Sequence, residues 1–275
     1  MTLDEHEQFV KRIQEYLNKS AKEAKARTSW ISPNPSHDEA LEAFVRAALQ
    51  RDPANRFLLD FADFRAPIGM AGMLNSLSQT VIKAGAPGVP DFYQGSELWD
   101  YNLVDPDNRR RVDFATRRTM LQEITRAADR NRTKLLDDLL ASPQDGRIKM
   151  YVTNRVLQFR RSNPELFATG AYVPLKTSGA RARHVVAFAR STDRQSTIVV
   201  AGRLFMSLGV TSHSFPVSEA WAGTTLALPS DLASEAYVDL FTGRAIDSHR
   251  EKGNFLLAVD EVFARMPIAM LVPSH

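Results

Sequence analysis

Residues 87–100 read PGVPDFYQGSELWD, and residues 105–114 read DPDNRRRVDF. The first run predicts one isolated, buried strand over about residues 88–94, since its two prolines fit only a strand start or an edge. Gly95 then turns the chain into a loop dense in carboxylates, amides, guanidiniums and aromatic rings. Sugar hydroxyls need directional donors and acceptors, and the apolar faces of sugars stack on rings. The stretch therefore predicts either a sugar site or a surface loop with many internal hydrogen bonds.

The composition is that of an ordinary globular protein, with 44% hydrophobic and 24% charged residues over 275 positions. The net charge is +3, but the densest basic cluster is interleaved with Asp105, Asp107 and Asp113, so we expect no nucleic-acid partner. No apolar run approaches the roughly 20 residues of a membrane span, so no membrane partner is expected. The chain has no cysteine, which fits a cytoplasmic location and excludes a thiolate site.

Helical periodicity dominates the first part of the chain. Ser36 and Glu39 have the spacing of a capping box at a helix start. Pro67 is expected to interrupt the helical pattern between residues 55–64 and 68–84, because proline removes an intrahelical hydrogen bond. The two helical runs after the loop are expected to join at Asn131. The predicted helices cover residues 3–27, 36–48, 55–64, 68–84, 115–127, 133–141 and 147–161.

The pattern changes to strand-like alternation after Gly170. Short runs of apolar and β-branched residues are separated by turn sequences, which predicts an antiparallel sandwich. We therefore divide the chain into a mainly helical region, residues 1–170, and an antiparallel β-sandwich domain, residues 171–275. The predicted strands are 171–175, 184–190, 197–202, 224–228, 236–239, 254–258 and 269–272.

The central stretch also carries a resemblance. The pattern Gly-x-Pro-x-x-Tyr-x-Gly-x-Glu at residues 88–97 resembles the last barrel strand of the family 13 glycoside hydrolases, the alpha-amylase group. The fuller run through Asp-Pro-Asp-Asn-Arg-Arg at 105–110 resembles their maltooligosyltrehalose synthase branch. The group around Asn163-Pro164 is similar to the segment that precedes the C-terminal domain of such enzymes.

The resemblance covers nearly the whole chain and implies the C-terminal part of a longer enzyme. The implied fold is α+β: a helical region with the last strand and helices of a (β/α)8 barrel, then the β-sandwich. The implied reaction is an intramolecular transglucosylation, an isomerase reaction of trehalose biosynthesis. It moves the reducing-end glucose of a maltooligosaccharide from an alpha-1,4 to an alpha-1,1 linkage. It requires no cofactor, and the missing N-terminal barrel portion would be a partner of this chain.

Six loop residues are the candidate substrate-binding set, because the loop follows the carboxyl end of a predicted barrel strand, where barrel enzymes build their sites. In the alternative, Asp105, Asp107, Arg109 and Arg110 form an ion-pair network that only shapes the loop. The predicted set is Gln94, Glu97, Trp99, Asp107, Arg109 and Arg110.

No catalytic residue is predicted within this chain. The family's two reacting carboxylates and its His-Asp pair lie before the matched part, and His37-Asp38 falls inside a helix start. The six histidines are scattered, so no metal site is expected. We therefore expect the chain alone to be inactive. An incomplete barrel should expose apolar surface, so we expect the chain either to self-associate or to be held together by its helices packing on the sandwich.

The sequence leaves two alternatives from other functional classes open. One is a self-standing carbohydrate-binding or scaffold module without catalytic function. The other, less favoured, is a basic nucleic-acid binder, which a steep loss of binding with salt would reveal.

Overall fold

The computed structural model describes residues 1–103, 107–211 and 215–274. Two compact units divide the chain: Met1–Arg65 with Tyr101–Arg111, and Ala66–Asp100 with Val112–His275. The predicted change near Gly170 is confirmed as a change from helices to antiparallel strands, since α6 ends at Ala168 and β1 begins at Ala171. The two units do not follow that boundary, so the domain division at residue 170 stays a prediction.

The described helices are α1 (Leu3–Ala24), α2 (Pro35–Ala48), α3 (Arg56–Gly85), α4 (Phe114–Ala141), α5 (Arg147–Ser162), α6 (Pro164–Ala168) and α7 (Val259–Val262). The described strands are β1 (Ala171–Pro174), β2 (Thr177–Gly179), β3 (Val185–Ser191), β4 (Ser196–Gly202), β5 (Thr224–Leu228), β6 (Ala236–Asp239), β7 (Ala245–Asp247), β8 (His249–Glu251), β9 (Asn254–Ala258) and β10 (Ile268–Pro273).

The cap of α2 differs from the prediction. The Asn34 side chain accepts from the backbone amide of His37 at 3.3 Å, and Pro35 occupies the first helical position. Ser36 therefore lies inside the helix and is not its cap. Asparagine followed by proline is the stronger start signal here, since asparagine is a preferred N-cap residue and proline has no amide to leave unsatisfied.

The predicted break at Pro67 is absent, because α3 runs without interruption from Arg56 to Gly85. Its second half is buried through Met70, Leu74 and Leu77, so tertiary packing outweighs the lost hydrogen bond. The kink predicted at Asn131 is confirmed: this residue has φ −160° and ψ 95° inside α4. Its side chain accepts from the amide of Lys134 at 3.0 Å and so caps the second segment.

The predicted strand over residues 88–94 is wrong for this chain, since these residues form no ladder with any described strand. A strand requires a hydrogen-bonded neighbour, and here the segment is held by side chains instead. Arg160 donates to the carbonyls of Ala84 at 2.6 Å and Gly88 at 2.8 Å. Lys83 Nζ donates to the carbonyl of Asp91 at 2.6 Å.

Two antiparallel sheets follow the helices. The first has the strand order β1-β3-β4-β10-β6-β7, and the second has the order β2-β5-β9-β8. All seven predicted strands are present, with ends shifted by at most a residue or so, whereas β2, β7 and β8 were not predicted. Those three strands have three residues each, which is too short for an alternating pattern to be recognised.

The first sheet is buried on both faces. Along β4, Ile198 and Val200 belong to a core cluster that also contains Leu257 of β9. Val199, between them, belongs to a second cluster that contains Leu77 of α3. Alternate side chains of a strand point to opposite faces, so the two clusters lie on opposite faces of the first sheet. The cluster that contains Leu257 also contains Met70 and Leu74 of α3. The antiparallel sheets are present as predicted, and their arrangement as a sandwich stays a prediction.

In the part of the chain that the structure describes, no helix is both long and apolar enough to cross a membrane.

Candidate functional site

The segment that joins α3 to α4 carries all six predicted substrate residues. Gln94, Glu97 and Trp99 belong to the second compact unit, whereas Asp107, Arg109 and Arg110 belong to the first.

Gly95 reverses the chain with φ +91°, a backbone conformation that favours glycine. The hydroxyl of Ser96 donates to the carbonyl of Tyr93 at 2.6 Å and closes this turn. Gln94 lies at the turn with an exposed side chain, as does Asp91 before it. The side-chain amide of Gln94 is therefore exposed to solvent at this turn.

Glu97 is held by α4. Arg117 Nε donates to the Glu97 carboxylate at 3.1 Å, and the same guanidinium donates to the carbonyl of Gly95 at 3.3 Å. Glu97 lines a cavity of about 430 Å³ between α4 and α5, together with the apolar side chains of Phe114 and Leu157. The hydroxyl of Thr153 also lines this cavity and is buried without a hydrogen-bond partner. The cavity thus combines an aromatic ring with a carboxylate and a hydroxyl.

Trp99 is fixed by its indole group, because Nε1 donates to the carbonyl of Pro143 at 2.7 Å. Gly146, with φ +78°, lies against it: a Cβ atom there would meet the Leu98 Cβ and the Trp99 nitrogen at 3.1 Å. A larger residue would push the loop away from the start of α5. The ring of Trp99 is only partly buried and packs against both core clusters.

Lys149 is a residue of this site that the sequence analysis missed. It is only 9% exposed, its Nζ donates to the carbonyl of Leu98 at 3.0 Å, and the ammonium lies 5.8 Å from the centre of the Trp99 ring. Burial lowers the pKa of Lys149, with Asp100 and Glu97 acting in the opposite direction. The sequence carried one signal for this buried lysine: it stands between the apolar residues Ile148 and Met150 of α5.

Asp107 is the centre of the second group. Its carboxylate accepts from Arg12 at 3.0 and 2.8 Å and from the Leu103 amide at 3.0 Å. Arg110 Nε lies 2.9 Å from the same carboxylate as an ion pair and donates to the Asp107 backbone carbonyl at 3.1 Å. The Arg12 guanidinium is the main cause that lowers the pKa of Asp107. Arg110 also donates to the Asn102 side chain at 3.1 Å.

This network matches the predicted loop-shaping arrangement for Asp107 and Arg110, with Arg12 of α1 as a partner that the sequence did not reveal. Arg109 is exposed in the same turn. Asp105, the remaining member of the predicted network, lies outside the described residues, as does His213. Among the described residues, no group of three or more histidines or acids could hold a metal ion.

Within the second unit, the predicted residues offer an exposed amide, a carboxylate and a partly buried indole. Within the first unit, they offer a carboxylate and two guanidiniums. Each set by itself contains groups of the kind that a polyhydroxylated ligand needs. The carboxylates of Glu97 and Asp107 are both held in place by arginines. A role of the six residues in substrate binding stays a prediction.

This chain is similar in sequence to known proteins. No protein-family profile matches it. A protein of Mycobacterium tuberculosis (strain CDC 1551 / Oshkosh) named putative maltooligosyl trehalose synthase is 32% identical over 264 residues, which are 96% of this chain and 28% of that protein.

Solved structures give the same match. Maltooligosyltrehalose synthase from Arthrobacter ramosus superposes with a TM-score of 0.73 at 32% identity, over 96% of this chain and 30% of that one. A further crystal structure of a maltooligosyl trehalose synthase gives a TM-score of 0.65 at 26% identity over 97% of this chain.

The class that these matches define for this chain is a mixed helix and antiparallel-sheet fold. These relatives are named maltooligosyltrehalose synthases. The resemblance of this chain to the C-terminal part of that enzyme is confirmed. The chain spans less than a third of the length of these relatives.

Proposed function

We propose that this chain is the C-terminal portion of a maltooligosyltrehalose synthase, and that it completes the substrate site of that enzyme. The observation that carries the proposal is the similarity over 96% of the chain to two synthases at 32% identity. The reaction converts the reducing-end alpha-1,4 linkage of a maltooligosaccharide to an alpha-1,1 linkage by intramolecular transglucosylation. A cytoplasmic location, in keeping with the absence of cysteine, belongs to the same proposal.

The chemistry needs two carboxylates about 5–5.5 Å apart, one as nucleophile and one as acid. The resemblance assigns both to the part of the enzyme that precedes this chain. In this chain, Arg117 engages Glu97, while Arg12 and Arg110 engage Asp107. These residues therefore supply hydrogen bonds to glucose hydroxyls, together with Gln94 and Arg109, and the Trp99 ring supplies a stacking surface. No cofactor takes part, because the double displacement uses carboxylates alone.

The partner of the chain is then the N-terminal barrel portion. In support, the first compact unit presents an aromatic row on α3, in which Phe57, Phe61 and Phe64 are 51%, 44% and 64% exposed. The ring centroids of Phe57 and Phe61 lie 5.7 Å apart, and those of Phe61 and Phe64 lie 6.4 Å apart. An exposed aromatic row favours association. In isolation we expect the chain to self-associate through it, and in the complete enzyme we expect the barrel to cover it.

The test incubates the purified chain with maltohexaose and follows the loss of reducing ends and the appearance of a trehalose-ended product. We expect no turnover by the chain alone and turnover when the N-terminal portion is added. In the reconstituted enzyme, Trp99→Ala and Arg110→Ala should raise KM, while Tyr172→Ala, an exposed aromatic control in β1, should not. Turnover by the chain alone, abolished by Asp91→Asn or Glu97→Gln, would contradict the proposal.

A further inference from the structure

A second cavity of the second compact unit lies between α3, α5 and the turn at residues 92–96. Its volume is about 390 Å³, and its lining includes Lys83, Lys149, Ser96, Gln79 and Phe92. None of the described residues that line it carries a carboxylate. Two ammonium groups therefore share one cavity with a hydroxyl, an amide and an aromatic ring.

The two lysines differ in exposure but both retain unused donors. Lys149 is 9% exposed and donates to the carbonyl of Leu98, whereas Lys83 is exposed and donates to the carbonyl of Asp91. An ammonium group has three donors, and each of these bonds uses one of them. No ion pair within 4.0 Å joins either lysine to a described carboxylate, although Asp100 and Glu97 act on Lys149 from outside the lining.

The electrostatics of the cavity favour a negative occupant. A buried charge without a partner is unfavourable, and two like charges that face one space repel each other. The repulsion is felt at Lys149, where Lys83 adds to burial in lowering the pKa. An oxyanion placed between the two ammoniums removes both penalties and gains charge-assisted hydrogen bonds. The side-chain amide of Gln79 offers further donors at the same surface.

We propose that this cavity binds a small oxyanion, such as a phosphate or carboxylate group, between Lys83 and Lys149. The lining contains none of the six predicted sugar-binding residues, although Lys149 contacts the loop that carries Trp99, and the proposal does not depend on the reaction assigned to the chain. Lys149 also binds the Leu98 carbonyl and faces the Trp99 ring, so an anion in the cavity would further order that loop.

The experiment titrates the 275-residue chain with inorganic phosphate and, in a second arm, with acetate, and follows binding by calorimetry and by the melting temperature. Sodium chloride at matched ionic strength controls for screening. We expect saturable binding of at least one oxyanion and none of chloride. Lys83→Met and Lys149→Met should each weaken the affinity about tenfold or more, as expected for the loss of one charge-assisted hydrogen bond.

Lys134→Met is the matched control, since Lys134 is an exposed lysine of the same unit, on α4. Its affinity for the oxyanion should equal that of the unmodified chain. Lys149→Met removes a buried contact, so Lys83→Met provides an independent test if the first variant does not fold. No saturable binding beyond the chloride control, or equal binding by the Lys83 and Lys134 variants, would overturn the proposal.

Discussion

Arg160 joins the end of α3 to the segment that leads into the predicted site. Its guanidinium donates to the carbonyls of Ala84 at 2.6 Å, Gly88 at 2.8 Å and Ala86 at 3.4 Å. It also stacks on the Phe167 ring at 4.4 Å. Ala84 belongs to the last turn of α3, where a helix end leaves carbonyls without amide partners, and Ala86 and Gly88 follow the helix. The positive side chain therefore caps the C-terminal end of α3 and ties the next residues to it. We predict that Arg160→Met destabilises the chain and loosens residues 86–92.

The magnitude follows from the contacts. Two short hydrogen bonds from a charged donor contribute about 1.5–3 kcal/mol each at most, and partial exposure of Arg160 reduces this. The cation–π contact adds about 0.5–1 kcal/mol. We therefore expect a loss of roughly 2–4 kcal/mol, or a fall in melting temperature of about 5–10 °C for a unit of this size. Arg160→Lys should recover only part of it, because one ammonium cannot bridge three carbonyls.

The assay is urea unfolding followed by circular dichroism, combined with hydrogen exchange at the amides of Gly88 and Val89. Arg161→Met is the control, since Arg161 is the neighbouring arginine of α5 and is exposed. It should change stability by no more than about 0.5 kcal/mol. Equal effects of the Arg160 and Arg161 substitutions, or unchanged exchange at Gly88, would refute the assignment of Arg160 as the cap.

Two other predictions concern single contacts. Asp107→Asn should cost about 1–2 kcal/mol at neutral pH, because Arg12 and Arg110 lose a charged acceptor. The folded-state pKa of Asp107 is lowered below 3.8, so its contribution is present above that value and is lost as pH falls through the folded pKa. The difference from the unmodified chain in urea unfolding should therefore shrink in acid, and a constant difference would contradict this. Tyr151→Phe should cost about 1–2 kcal/mol, since the buried hydroxyl donates to the Phe241 carbonyl at 2.5 Å, whereas Tyr172→Phe at an exposed ring should be neutral.

Some strands were predictable because burial alternates along them, and others, such as β4 and β10, because they are nearly continuous apolar runs. In β5, three buried positions alternate with two partly buried ones, and that period is visible in the sequence TTLAL. The order of the strands was not predictable, since β10 pairs with β4 and β6 through contacts that are distant in sequence. A period identifies a strand, but it does not identify the neighbour of that strand.

The strand predicted over residues 88–94 is wrong for a different reason. The segment contains the strand-forming residues Val89, Phe92 and Tyr93, and the resemblance implied a barrel, but a strand also needs hydrogen-bonded neighbours. In this chain the carbonyls of Gly88 and Asp91 are bound by Arg160 and Lys83. A sequence pattern predicts whether a segment can form a strand in a complete sheet. Whether the strand forms depends on the hydrogen-bonding partners that are present.

The loop residues were predictable as a group, but their partners were not. Arg12 lies 95 residues before Asp107, and Lys149 lies 51 residues after Leu98. Nothing in the local sequence indicates either contact. The period of a helix shows which of its faces is apolar, but it does not show which loop covers that face. The sequence therefore predicted where polar chemistry concentrates and missed the residues that hold it in place.

These partners also distinguish two ways in which the loop residues could contribute to binding. Trp99, Glu97 and Asp107 are fixed by contacts inside their own units before any ligand arrives, through Pro143, Arg117 and Arg12. Fixed groups lose little freedom when they bind, so they favour affinity and orientation together. Gln94 is exposed at its turn and would have to be ordered by the ligand. If the loop binds a maltooligosaccharide, its specificity therefore resides in the arginine-held carboxylates and the anchored indole.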